Sequence, residues 1–400
     1  MLHRHLTPIL QQIAGQVPVI SLTGPRQSGK TTLVRATFPD HAYASLEDPD
    51  LRRLALEDPR GFLDHFPGPA IFDEAQRAPE LFSYLQTLVD ADDRPGRFIL
   101  SGSQNFLLLR SISQSLAGRC AIFNLLPLSL RELLGRPPLA LEELGREPLG
   151  PDGGDSSGPE VMATLFRGFY PRIHDKALDP NRWLRDYYQT YVERDVRELV
   201  NVGDLDSFGR FVRLCAGRNG QLLNLTSLGN DAGISHATAR RWVSILESSF
   251  LIKVLQAHHR NFSKRLIKTP KLYFLDTGLL CYLLGIRSPE ELRLHASRGA
   301  VFESFVLSEL LKTYLHAGDE PALYFWRDST GHEIDVLLER GSELTAVEVK
   351  SGQTLSRDFL KGLEFWRGLV GDPQSPAALV YAGDRGLRYH DIQVYRWADL

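Results

Sequence analysis

Residues 24–31, which read GPRQSGKT, constrain the fold of this chain more than any other stretch of its sequence. The apolar run VPVISLT precedes them and TTLVRATF follows, so the pattern predicts a buried strand, a glycine-rich loop and a helix. In that arrangement the backbone N–H groups of the loop surround a phosphate at the helix N-terminus. The alternative, a glycine-rich turn that binds nothing, is disfavoured by these flanks. The predicted nucleotide-binding residues are Gly24, Pro25, Arg26, Gln27, Ser28, Gly29, Lys30, Thr31 and Thr32.

A second motif supplies the acidic partners that such a loop needs. Lys30 is placed to reach the β- and γ-phosphates of a nucleotide, and Thr31 to bind Mg²⁺. The apolar run AIFDEAQ ends in Asp73 and Glu74, which are predicted to hold Mg²⁺ and to orient the attacking water, respectively. The sequence therefore predicts ATP and Mg²⁺ as cofactors, with Glu74 as a catalytic residue.

Two further segments carry candidate residues for the same site. The run RFILSGSQN predicts a third strand with Ser101, Ser103 and Gln104 at its tip, near the γ-phosphate, or else a polar turn at a strand end. Arg119 precedes the apolar run CAIFNLLP. It is either a surface arginine or a catalytic arginine that reaches the γ-phosphate of a neighbouring subunit, and the second reading predicts a homo-oligomer.

Composition limits the class of protein. Four hundred residues exceed what one core serves, so about two to four domains are expected. The net charge of −3 favours no nucleic-acid binding by the chain as a whole, so any such surface is local. The sequence predicts no membrane helix and no secretory signal. Three widely separated cysteines, Cys120, Cys215 and Cys281, favour a reducing cytoplasm.

Several blocks beyond the loop resemble those of a known family. They are FRGFYPRI at 166–173, YVERDVREL at 191–199, RNFSKRLIKTPKLYFLDTGLL at 260–280, GAVFESFVLSEL at 299–310, and EIDVLL followed by VEVKSG. With these blocks the chain resembles bacterial and archaeal AAA-type P-loop ATPases that carry a C-terminal domain of unknown function. The resemblance implies ATP binding, a winged-helix-like middle region and a C-terminal domain like a PD-(D/E)XK restriction endonuclease.

The predicted fold class is α/β, in five segments. Strand and helix patterns alternate near both ends, a Pro-, Gly- and acid-rich stretch follows the first domain, and apolar residues recur at helical spacing after it. The segments are a P-loop AAA-type ATPase domain at 1–135, a flexible linker or insert at 136–160, a helical lid-like region at 161–220, a winged-helix-like module with a basic stretch at 221–298, and a PD-(D/E)XK nuclease-like domain at 299–400.

The runs EIDVLLER and ELTAVEVK predict a hairpin. Gly341 and Ser342 suit a two-residue turn, which fixes the register of the two strands. One face is then mostly apolar, and the other places two carboxylates opposite each other, which a sheet avoids unless a cation lies between them. The predicted pairs are Arg340 with Glu343, Ile334 with Val349, Val336 with Val347, Leu338 with Thr345, Glu333 with Lys350, and Asp335 with Glu348.

An Asp followed by Glu-x-Lys on the next strand resembles the pattern of PD-(D/E)XK nucleases. By that resemblance Asp335 and Glu348 hold Mg²⁺ or Mn²⁺, and Lys350 positions the attacking water or stabilises the charge of the phosphorane. Glu303, on the preceding helix, matches the family's N-terminal acidic metal ligand. The proline of the family name is absent, since Ile334 precedes Asp335.

Two alternatives for this hairpin stay open. It is an ordinary amphipathic hairpin in which Lys350 pairs with Glu333, or it is part of a nuclease-like domain that binds DNA without cutting it. Gln353 either assists the site or caps the next turn, and the turn is favoured.

The stretch 225–255 predicts a helix-turn-helix module. Gly233 lies in the turn and Ser235 is the expected N-cap of the second helix. Between Ser248 and Leu275 there is no Asp or Glu, whereas basic residues recur, as in a surface that contacts phosphates. A solvated face, or a module that docks on protein, would show the same pattern. The predicted DNA-binding residues are Arg240, Arg241, Lys264, Arg265 and Lys268, and Lys253, Arg260 and Lys271 belong to the same stripe.

Two functions fit these features. The favoured one is an ATP-hydrolysing, DNA-binding protein with a metal-dependent nuclease-like C-terminal domain that acts on DNA. The alternative is an ATP-switched assembly protein whose nuclease-like domain recognises nucleic acid or a partner without cutting. Both predict ATP binding, and they differ at Asp335, Glu348 and Lys350.

Overall fold

A computed structural model describes residues 2–103, 108, 112, 114–148, 160–190, 205–258 and 267–400. The chain forms two compact units. The first comprises Met1–Leu128, Ser248–Phe250 and Tyr314–Asp319, and the second comprises Ser129–Glu247, Leu251–Thr313 and Glu320–Leu400. The predicted division into five segments stays a prediction.

The first unit is built on a parallel sheet in the order β2-β3-β4-β1-β5. Its strands are β1 (Val19–Thr23), β2 (Ala42–Ser45), β3 (Ala70–Asp73), β4 (Phe98–Gly102) and β5 (Cys120–Asn124). Its helices are α1 (Thr7–Ala14), α2 (Lys30–Thr37), α3 (Pro49–Glu57), α4 (Pro59–Asp64) and α5 (Leu81–Ala91). All strands except β2 were predicted from their apolar runs.

Alternate residues of these strands enter two separate cores, as expected of a sheet with both faces covered. Phe72 and Leu100 lie in one apolar cluster, and their neighbours Ile71 and Ile99 lie in the other. Because the strands are parallel, the loops that follow β1, β3 and β4 all leave from the same edge of the sheet.

The second unit begins with helices. These are α6 (Leu130–Leu133), α7 (Val161–Arg167), α8 (Pro171–Asp175), α9 (Pro180–Tyr187), α10 (Leu205–Gly217), α11 (Leu225–Ala232), α12 (His236–Ser248), α13 (Thr277–Leu283), α14 (Pro289–Leu294) and α15 (Arg298–Ala317). The last residue of α12 and the last turn of α15 are counted with the first unit. Strands β6 (Ile252–Leu255) and β7 (Lys271–Phe274) lie between α12 and α13 and pair antiparallel.

The predicted helix-turn-helix signals lie where the sequence places them. Gly233 ends α11 with φ 74°, a conformation that glycine adopts easily, and the hydroxyl of Ser235 accepts the backbone N–H of Thr238 at 3.1 Å. Trp242 of α12 is buried against Phe208. The two helices thus follow one another as the sequence pattern predicts, and the antiparallel strands β6 and β7 come after them.

The C-terminal sheet has the order β12-β13-β11-β10-β9-β8. Its elements are β8 (Leu323–Arg327), β9 (Glu333–Arg340), β10 (Glu343–Lys350), α16 (Lys361–Val370), β11 (Ala377–Tyr381), β12 (Leu387–Tyr389) and β13 (Ile392–Arg396). Strands β8, β9 and β10 form an antiparallel meander, and β11 joins β10 in parallel after α16. This order agrees with the alternating strand and helix patterns that the sequence predicts near the C-terminal end of the chain.

The predicted register of the hairpin is confirmed from the turn as far as Val347 and Val336. The predicted pairs Ile334 with Val349, Asp335 with Glu348 and Glu333 with Lys350 lie beyond this ladder and stay predictions. Glu343 pairs with Arg340, and the ladder continues to Val347 opposite Val336. Gly341 has φ 62°, which a tight turn requires and glycine adopts without strain.

Part of the predicted linker packs against this sheet. Leu139 and Leu144 are buried, and the N–H of Gly145 donates to the Tyr395 hydroxyl at 2.8 Å. The Tyr395 hydroxyl in turn donates to the carbonyl of Glu147 at 2.6 Å. Within the described ranges, no helix combines the length and the apolar character needed to cross a bilayer.

Candidate functional site

The loop between β1 and α2 has a backbone that only glycine tolerates at its first position. Gly24 has φ 151°, and a Cβ there would lie 2.1 Å from the carbonyl oxygen of Leu125. Gly29 has φ 95° and caps α2, which begins at Lys30. The loop therefore leads directly into a helix N-terminus, where free backbone N–H groups favour an anion.

Lys30 spans this loop. Its Nζ is buried and donates to the carbonyl oxygens of Gly24 and Pro25, each at 2.9 Å. Burial lowers the pKa of Lys30 to about 8, although the charges of Glu74 and Asp73 oppose that shift. The buried ammonium of Lys30 donates only to neutral carbonyl oxygens among the described residues. A phosphate in the loop would give it an anionic partner.

The remaining loop residues also fit a phosphate. The hydroxyl of Ser28 is buried and has no hydrogen-bond partner among the described residues. Arg4 donates to the carbonyl oxygens of Ser28 and Leu126, each at 2.7 Å, and so holds the loop from behind. Arg4 was missed in the sequence because it lies before α1. Of the other predicted binding residues, Arg26 is half-buried, and Gln27, with φ 63°, and Thr32 are exposed.

The carboxylate of Asp73, at the end of β3, accepts hydrogen bonds from three hydroxyl groups. Thr31 donates to its Oδ2 at 2.7 Å, Tyr43 donates to the same oxygen at 3.0 Å, and Ser101 donates to Oδ1 at 2.5 Å. Burial and the charge of Asp73 raise the pKa of Tyr43 to about 12, so the phenol stays a donor. The Thr31 hydroxyl and the Asp73 carboxylate are hard oxygen ligands side by side, which fits Mg²⁺.

Glu74 is held in a strained conformation next to Asp73. Its φ of 54° and ψ of 42° are left-handed, which is uncommon outside glycine and often marks a functional position. Its Oε2 accepts from Gln76 at 2.5 Å and from the Ser103 hydroxyl at 2.9 Å. Gln76 was missed in the sequence, and Gln104 lies outside the described residues.

Arg119 lies away from this cluster. It precedes β5, so it is at the edge of the sheet opposite the loop, and its guanidinium pairs with Asp90 and donates to the carbonyl of Ala117 at 3.2 Å. It therefore does not act on a nucleotide bound by its own subunit, and a role in a neighbouring subunit stays a prediction.

A second cluster lies at the open end of the β9–β10 hairpin. One position beyond the ladder, the carboxylate of Asp335 accepts the backbone N–H of Val349 at 2.8 Å. Lys350 forms an ion pair with Glu348 on the same face of β10. Burial and the charge of Asp335 raise the pKa of Glu348 to about 8, and burial raises the pKa of Asp335. The predicted trio is thus brought together.

One oxygen of the Glu348 carboxylate is the group in this cluster that could take a cation. Its Oε2 is buried without a hydrogen-bond partner in the part of the chain that the structure describes. Gly362 of α16 lies so close that a Cβ there would be 3.1 Å from this oxygen. An unpaired buried carboxylate oxygen beside a second carboxylate fits Mg²⁺ or Mn²⁺.

A further lysine, Lys271, enters the same cluster from β7. It is buried and contacts Glu333, its Nζ lies 3.4 Å from Glu303, and the hydroxyl of Tyr273 donates to Glu303. The prediction that Lys271 belongs to an exposed basic stripe is therefore wrong, because the strand turns this side chain inward. Burial and the charge of Asp335 raise the pKa of Glu303 to about 7.

The amphipathic-hairpin alternative expected Glu333 to pair with Lys350. The structure instead pairs Lys350 with Glu348 and gives Glu333 other partners. Glu333 pairs with Lys271 and with Arg327, whose Nη1 lies 3.1 Å from Glu333 Oε2. Among the described residues, no three of these carboxylates bring oxygens within 4.8 Å of one another. Glu303, the predicted third metal ligand, is thus engaged by Lys271 and Tyr273.

Three of the five predicted DNA-binding residues are exposed, and the other two lie outside the described residues. Arg240 and Arg241 are exposed on α12, and Lys268 is exposed before β7. Lys264 and Arg265 lie outside the described residues.

Comparison with known proteins agrees with the class that the first site defines. Residues 16–134 match a family described as an AAA domain, so this part of the chain is an AAA-type P-loop ATPase domain. Residues 159–290 and 298–400 match two families, each described as a domain of unknown function.

Two mycobacterial relatives cover nearly the whole chain. Uncharacterized proteins of Mycobacterium bovis and Mycobacterium tuberculosis are each 31% identical to it over 396 residues, which is 98% of this chain and 82% of the relative. The chain belongs to the family of these two proteins. Among solved structures, the Walker-type ATPase of Pyrococcus abyssi is similar with a TM-score of 0.40 and 14% identity over 71% of this chain and 96% of that one.

Proposed function

We propose that the protein couples ATP hydrolysis to the metal-dependent cleavage of DNA at the second cluster. The observation that carries this proposal is the buried Oε2 of Glu348, which has no hydrogen-bond partner among the described residues and lies beside Asp335 and Lys350. A folded chain rarely leaves a carboxylate oxygen buried and unpaired, so the arrangement indicates a ligand. A divalent cation satisfies that oxygen and offsets the neighbouring carboxylate.

ATP hydrolysis follows from the first cluster. The loop and Lys30 hold the phosphates, while Thr31 and Asp73 would hold Mg²⁺, which offsets the charge of the phosphates. Glu74 would orient the attacking water. Its own carboxylate is fixed by Gln76 and Ser103, so it meets the water in a defined orientation.

At the second cluster, Asp335 and Glu348 would hold the ion, which activates a water and polarises the phosphate when it is bound. Asp335 is oriented by the N–H of Val349. Burial lowers the pKa of Lys350, but the charges of Asp335 and Glu348 outweigh burial and leave that pKa raised. Lys350 therefore stays a cation and would stabilise the negative charge that develops on a scissile phosphodiester.

The DNA would be held by the helix-turn-helix module. Arg240 and Arg241 are exposed on its second helix, and Lys268 is exposed just before strand β7. Arginine and lysine on one module contact phosphates through charge, which is compatible with a net charge of −3 for the whole chain.

We further propose a homo-oligomer in which Arg119 serves a neighbouring subunit.

One observation favours the second candidate, an ATP-switched protein that binds without cutting. Lys271 and Arg327 already offset much of the negative charge around Glu333. A cluster balanced by its own cations has less need of a metal ion. That reading leaves Glu348 Oε2 without a partner among the described residues, so it ranks second.

The two candidates are separated by incubating the protein with linear, single-stranded and branched DNA, with and without ATP, in Mg²⁺, Mn²⁺ or EDTA. Cleavage that requires the metal and is lost in Asp335→Asn supports the proposal. Metal-independent binding with no cleavage of any DNA form, in a preparation that hydrolyses ATP, supports the second candidate.

A further inference from the structure

A second lysine lies in the carboxylate cluster, and it comes from outside the C-terminal sheet. Lys271 begins β7, and only 4% of its surface is exposed. Its Nζ contacts Glu333 and lies 3.4 Å from Glu303 Oε1 and 3.3 Å from the Tyr273 hydroxyl. The ring of Phe325 has its centroid 5.4 Å from the same Nζ. The ammonium is thus enclosed by two carboxylates and two rings.

The choice of lysine at this point is informative. Of the 46 basic residues in the chain only nine are lysine and 37 are arginine. An ammonium is a compact point charge, so two carboxylate oxygens from different elements converge on it, whereas a guanidinium is planar and prefers one bidentate partner. Glu303 comes from α15 and Glu333 from β9. The ammonium of Lys271 therefore lies between two carboxylates, where a metal ion could otherwise bind.

The charges of the cluster leave room for one divalent ion. Four carboxylates face three cations, which leaves one net negative charge when all the carboxylates are ionised. One divalent ion and one phosphodiester bring the cluster to neutrality, and a second divalent ion would leave two positive charges in excess. The carboxylates are Glu303, Glu333, Asp335 and Glu348, and the cations are Lys271, Lys350 and Arg327.

We propose that Lys271 is a built-in cation that takes the place of a second metal ion. The centre then binds a single divalent cation at Asp335 and Glu348, while Lys271 holds Glu303 and Glu333 and positions both. Glu303, which the sequence predicts as a metal ligand, is a ligand of the lysine instead. The inference rests on the proposed metal centre and is independent of whether that centre cuts DNA.

The test counts Mn²⁺ ions bound by the nucleotide-free protein, by calorimetric titration and by electron paramagnetic resonance. Wild type should bind about one ion more than Asp335→Asn, and Lys271→Met should bind about one ion more than wild type because Glu303 and Glu333 lose the cation that they share. The extra ion in Lys271→Met should show magnetic coupling to the first. An unchanged count and affinity in Lys271→Met would overturn the proposal, as would wild type binding no more Mn²⁺ than Asp335→Asn.

A matched control is another buried lysine. Lys312 has no exposed surface and pairs with Glu309 at 2.8 Å, and neither residue belongs to the carboxylate cluster, so Lys312→Met should gain no ion. A gain there as well would show that losing any buried lysine recruits Mn²⁺, and would overturn the assignment to Lys271.

Glu333→Gln makes the test independent of how well Lys271→Met folds. The proposal predicts that Glu333→Gln keeps the wild-type ion with affinity changed less than about threefold, because Glu333 binds the lysine rather than the metal. A loss of that ion in Glu333→Gln would make Glu333 a metal ligand and contradict the proposal. If Mn²⁺ binds as predicted but no DNA is cut, the proposed cleavage fails and this inference stands.

Discussion

The hydroxyl of Thr31 donates to the carboxylate of Asp73 at 2.7 Å and joins the end of one strand's loop to the end of another strand. The two residues are 42 positions apart in sequence, yet they form one site because β1 and β3 are parallel and end at the same edge. Glu74 follows directly, and its carboxylate accepts from Gln76, two residues later, and from Ser103, which follows β4. The carboxylate that we propose orients the attacking water is thus fixed by neighbouring side chains.

Removing the carboxylate of Glu74 should separate binding from hydrolysis. Glu74→Gln keeps the shape but cannot polarise the attacking water, so we expect hydrolysis to fall by about a hundredfold or more with nucleotide affinity nearly unchanged. Lys30→Ala should instead weaken nucleotide binding itself. Phosphate release and a fluorescent-nucleotide titration measure the two effects. Equal turnover in wild type and Glu74→Gln would remove Glu74 from the catalytic role.

Two glycines of α16, Gly362 and Gly368, provide a test substitution and its control for the second site. In Gly362→Ala the new Cβ would lie 3.1 Å from Glu348 Oε2 and 3.4 Å from the carbonyl of Glu333, so the Glu348 carboxylate must shift. We expect Mn²⁺ affinity to fall about tenfold, which corresponds to about 1.4 kcal/mol. Mn²⁺ titration checks this.

Gly368→Ala is the control, because its Cβ would meet no atom within 4 Å. It should leave Mn²⁺ affinity unchanged and stabilise the helix by up to about 1 kcal/mol, as alanine does in a helix interior. If both substitutions weaken Mn²⁺ binding alike, the effect lies in the helix and not in its approach to Glu348.

DNA affinity should fall steeply with salt, and the arginines of α12 should account for part of that slope. Each phosphate contact contributes about 0.9 to the log–log slope, so the double variant Arg240→Ala/Arg241→Ala should flatten it by about two units. Arg388→Ala, which removes an exposed arginine of β12, should leave the slope unchanged. A slope that is insensitive to the double variant would exclude α12 from the DNA path.

If Arg119 acts on a neighbouring subunit, hydrolysis per subunit should rise with protein concentration. Arg119→Ala should then cut turnover by about a thousandfold without weakening nucleotide binding, since such an arginine stabilises the transition state. Arg94→Ala, at an exposed ion pair with Asp92, serves as the control. Turnover that is independent of concentration, in a species that sediments as a monomer, would exclude the role.

The sequence predicted those parts of both sites that depend on local pattern. Strand periodicity and a glycine turn were enough to fix the pairing of Glu343 with Arg340 and to bring Asp335 and Lys350 to one end of the hairpin. The phosphate loop likewise follows from residues that are adjacent in the chain.

What the sequence missed depends on contacts between distant segments. Tyr43 donates to Asp73 across 30 positions of sequence, and Arg4 donates to Ser28 across 24, so no local pattern encodes either contact. Lys271 lies in an acid-free run and resembles a surface charge, but the pairing of β7 with β6 turns it inward toward the carboxylates. A buried lysine is recognised only once its partners are placed.

The most direct test of the account measures both activities in one variant, Lys350→Ala. The account predicts that metal-dependent DNA cleavage is lost, while ATP hydrolysis and DNA affinity stay within about twofold of wild type, because Lys350 would stabilise charge only at the phosphodiester. Lys350→Arg should restore cleavage only in part, since a guanidinium is larger and planar. Cleavage by Lys350→Ala at the wild-type rate, or wild type that cuts no DNA form in either metal, would contradict the account.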